Sequence, residues 1–463
     1  MADQPAGSTA FDEGPDGGPL TVLTAVAAPS VEAVLVAGFA DPDLGIHVVR
    51  RCVDLVELLA AAAAGTARAA LVSADLRGLD RDALAQLASC GLVIVGLAPD
   101  EPGERLLHQL GAGFVVAAGA APEQVAGALR AAAVAGPGLA SMAAPRSASA
   151  SSWEPAAADP TGPGTVLAVW GPAGAPGRST VALGLADAFA RRGVSALLID
   201  ADPYGGSVAT LTGLLDEAPG LAAACRAANA GILDVARLAE CCRTVGADVR
   251  VLTGLGDPRR WPELRASALE VVLSLSRWLA DVVIVDCGFS LEEDEELAYD
   301  TAAPRRNAAT LVSLKAADRV LAIGSADPVG ISRLIRELPR LTAVFETAAL
   351  EGDPKSGARV LVVANRLRDG LLPGDPRRQV EQALARHLSV PVFAALPLDV
   401  AAADAAHGRG QLLSEAAPGS SLVAACAELA EALRPTANRP EPGPRRALRR
   451  RRGRRRRARV PGG

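Results

Sequence analysis

The sequence predicts an α/β protein of two domains. In two stretches, 20–136 and 164–436, short and nearly continuous apolar runs alternate with amphipathic segments, and an Ala-, Ser- and Pro-rich segment separates them. That alternation is the rhythm of βα units, whose strands form parallel sheets. The chain is 463 residues long and 50% apolar, which is enough to fill two cores at the usual roughly 100 to 200 residues per domain and excludes disorder throughout.

Residues 1–19 are rich in Gly, Pro and Asp and read as a disordered terminus. Over 20–136 the runs LTVLTAV, AALVSAD, GLVIVGL and GFVVAAG alternate with VDLVELLAAAA and PEQVAGALRAAA, which predicts a small βα domain whose strand order and size resemble a flavodoxin-like receiver. Residues 137–163 lack any periodicity that could bury a face and read as a linker. Strands are then expected at TVLAVWG, SALLIDAD, VRVLTGL, DVVIVD, DRVLAIG, RVLVVAN and PVFAALP, with a helix over 179–192 that places Val181, Leu185 and Phe189 on one face. Runs this continuous belong to a mostly parallel sheet covered on both sides. Residues 437–463 turn Pro-rich and then Arg-rich and read as a disordered tail.

The formal charge of −5 is a sum of opposites: 11 arginines lie in 445–459, leaving 36 basic against 52 acidic groups elsewhere, or −16. An acidic body thus carries a basic tail, and lysine occurs only at Lys315 and Lys355. Seven cysteines without a CxxC pair argue against a disulfide framework or a zinc site and for reduced, cytoplasmic thiols. The N-terminus lacks a signal-peptide pattern, and every apolar run breaks before the roughly 20 residues that span a bilayer. The four histidines are scattered, with no HExxH or nucleophile elbow.

The strongest local signal is GPAGAPGRST at 171–180, directly after a strand and directly before a helix. In a phosphate-binding loop, successive N–H groups and a helix N-terminus converge on a phosphate, glycines such as Gly174 and Gly177 let the backbone approach, and a hydroxyl such as Ser179 completes a Mg²⁺ shell. A glycine-rich turn without function is the alternative. Asp200 and Asp202 end the next strand and Asp286 ends DVVIVD. Ligands gather at the carboxyl ends of parallel strands, so loop and aspartates would converge on one Mg-nucleotide, although a strand-terminal aspartate also caps helices.

With these features the chain resembles the ParA/MinD family of P-loop ATPases over most of 164–436. The resemblance rests on the loop, DADP at 200–203, VIVD, Asn365-Arg366 at a strand end, and ALPLD. It implies ATP and Mg²⁺ as cofactors. The loop residues Gly174, Ala175, Gly177, Arg178, Ser179 and Thr180, with Asp200, would surround the phosphates. Ser179 would hold Mg²⁺, Asp286 would act on the metal through a water, and Asp202 would polarise the attacking water near the metal. Asn365 and Arg366 would lie at the adenine, with Pro397 at its border. Together with a receiver-like N-terminal domain the chain looks like the CpaE/TadZ branch, associated with Flp pilus or secretion assembly and with septum-site proteins. That branch implies a homodimer, partners in a pilus, secretion or division machinery, and a cytoplasmic place, peripheral at the inner face of the membrane.

Measured against the family form GKGGxGK[ST], Pro172 stands for a glycine, Ala173 for the signature lysine that reaches across a dimer, Ala175 for a glycine and Arg178 for the P-loop lysine. Arginine keeps the charge on a larger planar fork, and Pro176 removes an N–H donor. Binding is expected to survive better than turnover, which leaves a non-hydrolysing scaffold as the rival reading and a small-metabolite enzyme as a third. Arg305 or Arg306 is a candidate to replace the charge lost at 173. The receiver resemblance places Asp75 at the phosphoacceptor position, but TVLTAVAAPS lacks an acidic pair and FVVAAGAA a lysine, so the domain reads as a pseudo-receiver with Asp75 as a cap. The tail has one large apolar residue, Leu448, so any attachment to anionic membrane or nucleic acid would be electrostatic.

Overall fold

The computed structural model describes residues 18–136, 163–174, 177–214, 218–246, 248–293, 304–350, 359–369, 374–387 and 390–434. Of the regions read as N-terminal tail (1–19), linker (137–163) and Arg-rich tail (437–463), all but residues 18, 19 and 163 lie outside them.

The first sheet contains β1 (Leu20–Ala25), β2 (Ile46–Arg51), β3 (Ala69–Ser73), β4 (Val93–Ala98) and β5 (Phe114–Ala117), all parallel in the order β2-β1-β3-β4-β5. This is the flavodoxin-like order. Side chains alternate across it: Leu23, Val72 and Ile94 pack on one face with Leu58, Leu84 and Leu107, while Val22, Leu71 and Val95 pack on the other with Leu35, Val125 and Leu129. Three helices start on an aspartate whose carboxylate accepts the N–H three residues on, Asp54 from Glu57, Asp80 from Ala83 and Asp100 from Gly103. Asp75 does not cap in this way. It is exposed in the turn after β3, where Leu76 N–H bonds to the Ser73 carbonyl, and among the described residues its carboxylate accepts no hydrogen bond.

The second sheet contains β6 (Thr165–Trp170), β7 (Ala196–Ala201), β8 (Arg243–Val245), β9 (Val249–Leu252), β10 (Val282–Cys287), β11 (Arg319–Ser325), β12 (Arg359–Leu367) and β13 (Val392–Pro397). Their order is β13-β12-β11-β6-β10-β7-β9-β8, parallel except that β8 runs antiparallel to β9. Every strand read from the sequence here is present, and the short β8 is an addition. Leu167, Val169, Leu198 and Ile284 share one core with Leu185 and Phe189 of the helix Arg178–Ala190. On the opposite face Val166, Trp170, Val283 and Val285 share a second core with Leu221 of the helix Gly220–Asn229 and with Leu269 and Val272 of the helix Ala266–Leu279.

The two sheets' helices meet along a polar seam. Asn229 Nδ2 donates to Asp80 Oδ2 (3.0 Å) and the Asp82 N–H donates to Asn229 Oδ1 (3.3 Å). Asp82 also pairs with Arg265 (2.9 Å) and accepts from the Ser267 hydroxyl. Gly231 adopts φ +67°, and a Cβ there would lie 2.7 Å from Leu106 and 2.8 Å from Leu110, so glycine permits both the turn and the close approach. Asp82→Ala is expected to lower stability by about 1 kcal/mol, since one hydrogen bond and one half-exposed ion pair are lost. A thermal melt reads this, and an unchanged midpoint would show that the seam does not belong to the cooperative unit.

Candidate functional site

The second sheet changes direction around β6. The chain leaves β6 for β7 on one side, returns to β10 beside β6, and then crosses to β11 on the other side. In open α/β sheets a crevice opens at the carboxyl ends of the strands at such a point. The loop after β6 lies there. Gly174 and Gly177 adopt φ +67° and +87°, the left-handed region that glycine enters without strain. The first intrahelical bond of Arg178–Ala190 runs from Val181 N–H to the Gly177 carbonyl, so the N–H groups of Ser179 and Thr180 have no acceptor within the helix and form an anion-binding end. Ala175 and Pro176 lie outside the described residues.

Arg178 turns back into this loop. Its Nη1 donates to the carbonyls of Gly171 (3.1 Å) and Pro172 (3.5 Å), and its Nη2 donates to Asp202 Oδ2 (3.3 Å). Both side chains of this ion pair are largely buried, at 14% and 13% exposed. The residue that stands for the phosphate-binding lysine therefore holds the carboxylate expected to orient water.

The other two aspartates differ from each other. Asp286 on β10 is in register with Asp200 on β7 and Val169 on β6. Asp200 is buried but satisfied, accepting from the N–H groups of Val208 (3.0 Å) and Asp202 (3.4 Å), and Gly254 leaves room for it, since a Cβ there would lie 2.6 Å from its carboxyl carbon. Asp286 is equally buried, yet among the described residues neither carboxylate oxygen meets hydrogen-bond geometry with a partner, although the Ser179 hydroxyl is near enough to favour its charged form. Burial, and then the charge of Asp200, push the Asp286 carboxyl well above its ordinary range, and burial also raises Asp200. Ser207, which sequence reasoning missed, donates its hydroxyl to Ser179 Oγ (3.0 Å).

Beside the aspartates, Tyr204 links three segments. Its N–H donates to Asp202 Oδ1 (2.9 Å), its ring packs on Phe289 (4.8 Å between centroids), and its hydroxyl donates to Asn307 Oδ1 (2.8 Å). Asn307 in turn donates to the Glu292 carbonyl (2.8 Å). Arg306 stacks over the Tyr204 ring at 4.4 Å, and Arg305 lines a cavity against Asp82 and Gln86 of the first domain. The guanidinium that contacts position 173 is instead that of Arg333, whose Nη1 donates to the Ala173 carbonyl (3.1 Å). A cavity of about 550 Å³ opens beside Ala173, lined in part by Tyr204, Phe289, Glu292 and Arg340.

Asn365 comes to the loop from the end of β12. It is buried, and a Cβ on Gly177 would lie 2.5 Å from its Nδ2, so Gly177 is required both by its backbone angle and by this neighbour. Arg366 follows with φ +59° and is exposed. Pro397 ends β13, opposite Leu367 in the sheet. The aspartate of ALPLD, Asp399, caps the helix Val400–Arg409 through the Ala402 N–H (3.0 Å) and accepts from the Ser420 hydroxyl (2.6 Å).

The family model for the CobQ/CobB/MinD/ParA nucleotide binding domain matches residues 167–412, more than half of the chain. The chain belongs to this family. No curated protein is similar enough to count as a relative. Among solved structures the MinD/ParA-type domain is similar to the cell division ATPase MinD of Pyrococcus furiosus, at 19% identity over 58% of this chain and 98% of that one, with a TM-score of 0.44. It is similar also to a ParA family ATPase from Chlorobium tepidum (17% identity, 58% and 98% covered, TM-score 0.46). A third is the cobyrinic acid a,c-diamide synthase of Mycobacterium smegmatis with bound ADP and magnesium (19% identity, 58% and 94% covered, TM-score 0.42).

Within the MinD/ParA-type domain the donor set could hold a phosphate-bound magnesium ion. The helix N-terminus leaves the Ser179 and Thr180 N–H groups without helix acceptors, Ser179 offers a hydroxyl, and Asp286 is a buried carboxylate lacking a regular partner among the described residues. Among the described residues no three His, Cys, Asp or Glu side chains form a metal cage. Also among them, no helix is long and apolar enough to cross a membrane, and all seven cysteines are free.

Proposed function

We propose that the chain is an ATP-binding spatial regulator of the MinD/ParA type, of the CpaE/TadZ kind with a pseudo-receiver as its first domain, which positions a pilus or secretion assembly or the division septum and hydrolyses ATP slowly. The observation that supports it best is the meeting of the phosphate loop, Asp202 and the unsatisfied Asp286 at the switch point of the sheet. In this reading Ser179 would hold Mg²⁺ and Asp286 would act on it through a water, and the ion's charge would offset that of the phosphates. Thr180 and the loop N–H groups bind phosphate oxygens, Asn365, Arg366 and Pro397 border the base, and Asp202 orients water once Arg178 has left it for the phosphates. The protein acts as a homodimer in the cytoplasm, at the inner face of the membrane, with the arginines of 445–459 as an electrostatic contact to anionic lipid or nucleic acid.

The ion pair between Arg178 and Asp202 favours a second reading, a non-hydrolysing scaffold that acts through protein and polyanion contacts. Equilibrium titration of the full chain with Mg-ATP and Mg-ADP, followed by a phosphate-release assay, separates the two. Micromolar binding with slow release supports the regulator, whereas binding without release, or no binding at millimolar nucleotide, supports the scaffold.

A further inference from the structure

The loop contains no lysine at either family position, yet a second guanidinium rests on it. Arg333 belongs to the helix Pro328–Leu350, which follows β11 and is capped by Asp327 through the N–H groups of Val329 and Gly330. Ile331, Leu334, Leu338 and Leu341 bury the inner stripe of that helix. Because β11 lies next to β6, the first turns of the helix stand beside the loop that follows β6, and Arg333, adjacent to the stripe, reaches across to it. Its Nη1 donates to the Ala173 carbonyl and sits against Gly174, where any Cβ would collide with it.

The charge of Arg333 is also uncommitted. Arg178 is paired with Asp202, Arg340 with Glu337, and Arg306 is stacked on Tyr204, whereas Arg333 has no carboxylate partner among the described residues. A guanidinium carries five N–H donors, and the one bond to Ala173 leaves the others for a phosphate oxygen.

We propose that Arg333 is a phosphate-binding residue that contacts the γ-phosphate of a bound nucleoside triphosphate from within the same chain, supplying the charge that Ala173 does not. The inference rests on the nucleotide-binding reading above. A contact to the terminal phosphate distinguishes triphosphate from diphosphate, so Arg333 sets the preference for ATP over ADP.

The test is titration of full-length wild type, Arg333→Ala and Arg333→Lys with Mg-ATP and Mg-ADP, with nucleotide-free melting as the check on folding. Arg333→Ala is expected to weaken Mg-ATP binding by about tenfold or more and Mg-ADP binding by less than about threefold, and Arg333→Lys to recover most of the loss. Equal weakening of both nucleotides, or none, in a variant that melts like wild type overturns the inference while leaving the proposed function intact. If wild type itself binds neither nucleotide, the proposed function falls first and this inference with it.

Discussion

Asp286→Asn is expected to raise the melting temperature of the nucleotide-free protein and to remove its stabilisation by Mg-ATP. In the fold this carboxylate is buried beside Asp200 without a regular hydrogen-bond partner, and its affinity for protons is raised above the ordinary value of 3.8. Between that value and the raised one, the folded state binds more protons than the unfolded state, so stability falls as pH rises through the window. The amide has no charge to bury, and the variant should gain about 1 to 3 kcal/mol at neutral pH, or on the order of 5 °C. Its stability should also vary less with pH than that of wild type. On the proposed function, Mg-ATP at a hundredfold excess over Kd should stabilise wild type by about 2.7 kcal/mol and do little for the variant. Melting both proteins across pH, with and without Mg-ATP, checks the two halves separately. A variant that melts below wild type at neutral pH would show that Asp286 is satisfied in the folded protein.

Arg178 carries the second large effect. Arg178→Ala removes a charged donor from the phosphate side of the loop and is expected to weaken Mg-ATP binding by roughly 10- to 100-fold, the worth of hydrogen bonds to a charged group. Arg178→Lys should act in the other direction on turnover. The ammonium is a point charge without the planar fork by which arginine spans the loop carbonyls and Asp202 together, so Asp202 becomes available to water. Phosphate release by Arg178→Lys is expected to exceed wild type by about tenfold or more, given the orders of magnitude that positioned charge contributes to phosphoryl transfer. Release at or below the wild-type rate would mean that the ion pair does not restrain hydrolysis.

Much of the fold was legible because buried parallel strands leave a strong trace. Strands β6, β7, β9, β10, β11, β12 and β13 are apolar runs packed into the two cores of the second sheet, and their alternating side chains supply both. Two of the edge strands, β2 and β8, were harder to read. In IHVVRR of β2 one side of the strand is solvated and arginines are tolerated, as in Arg51 pairing with Glu32 (2.6 Å), while the three residues of β8 are too few for any period. Asp75 shows the opposite failure, since a strand-end aspartate looks the same in sequence whether or not an N–H faces it.

Local sequence dictates that two parallel sheets form, that a glycine-bearing turn joins β6 to a helix, and that aspartates stand at the ends of β7 and β10. These features are set by the side-chain period, by backbone angles open to glycine, and by the order of strand, turn and helix. Which charges meet depends on the assembled sheet. Arg178 with Asp202, Ser207 with Ser179, Asn365 against Gly177 and Arg333 on Ala173 join residues between 24 and 188 positions apart. No local pattern encodes such pairs, because they follow from the strand order that sets β11 and β12 on one side of β6 and β10 and β7 on the other. Whether the aspartates are satisfied is decided the same way: Asp200 accepts from the backbone N–H groups of Asp202 and of Val208 at the start of the next helix, while Asp286, one strand over and equally buried, finds no such donor among the described residues.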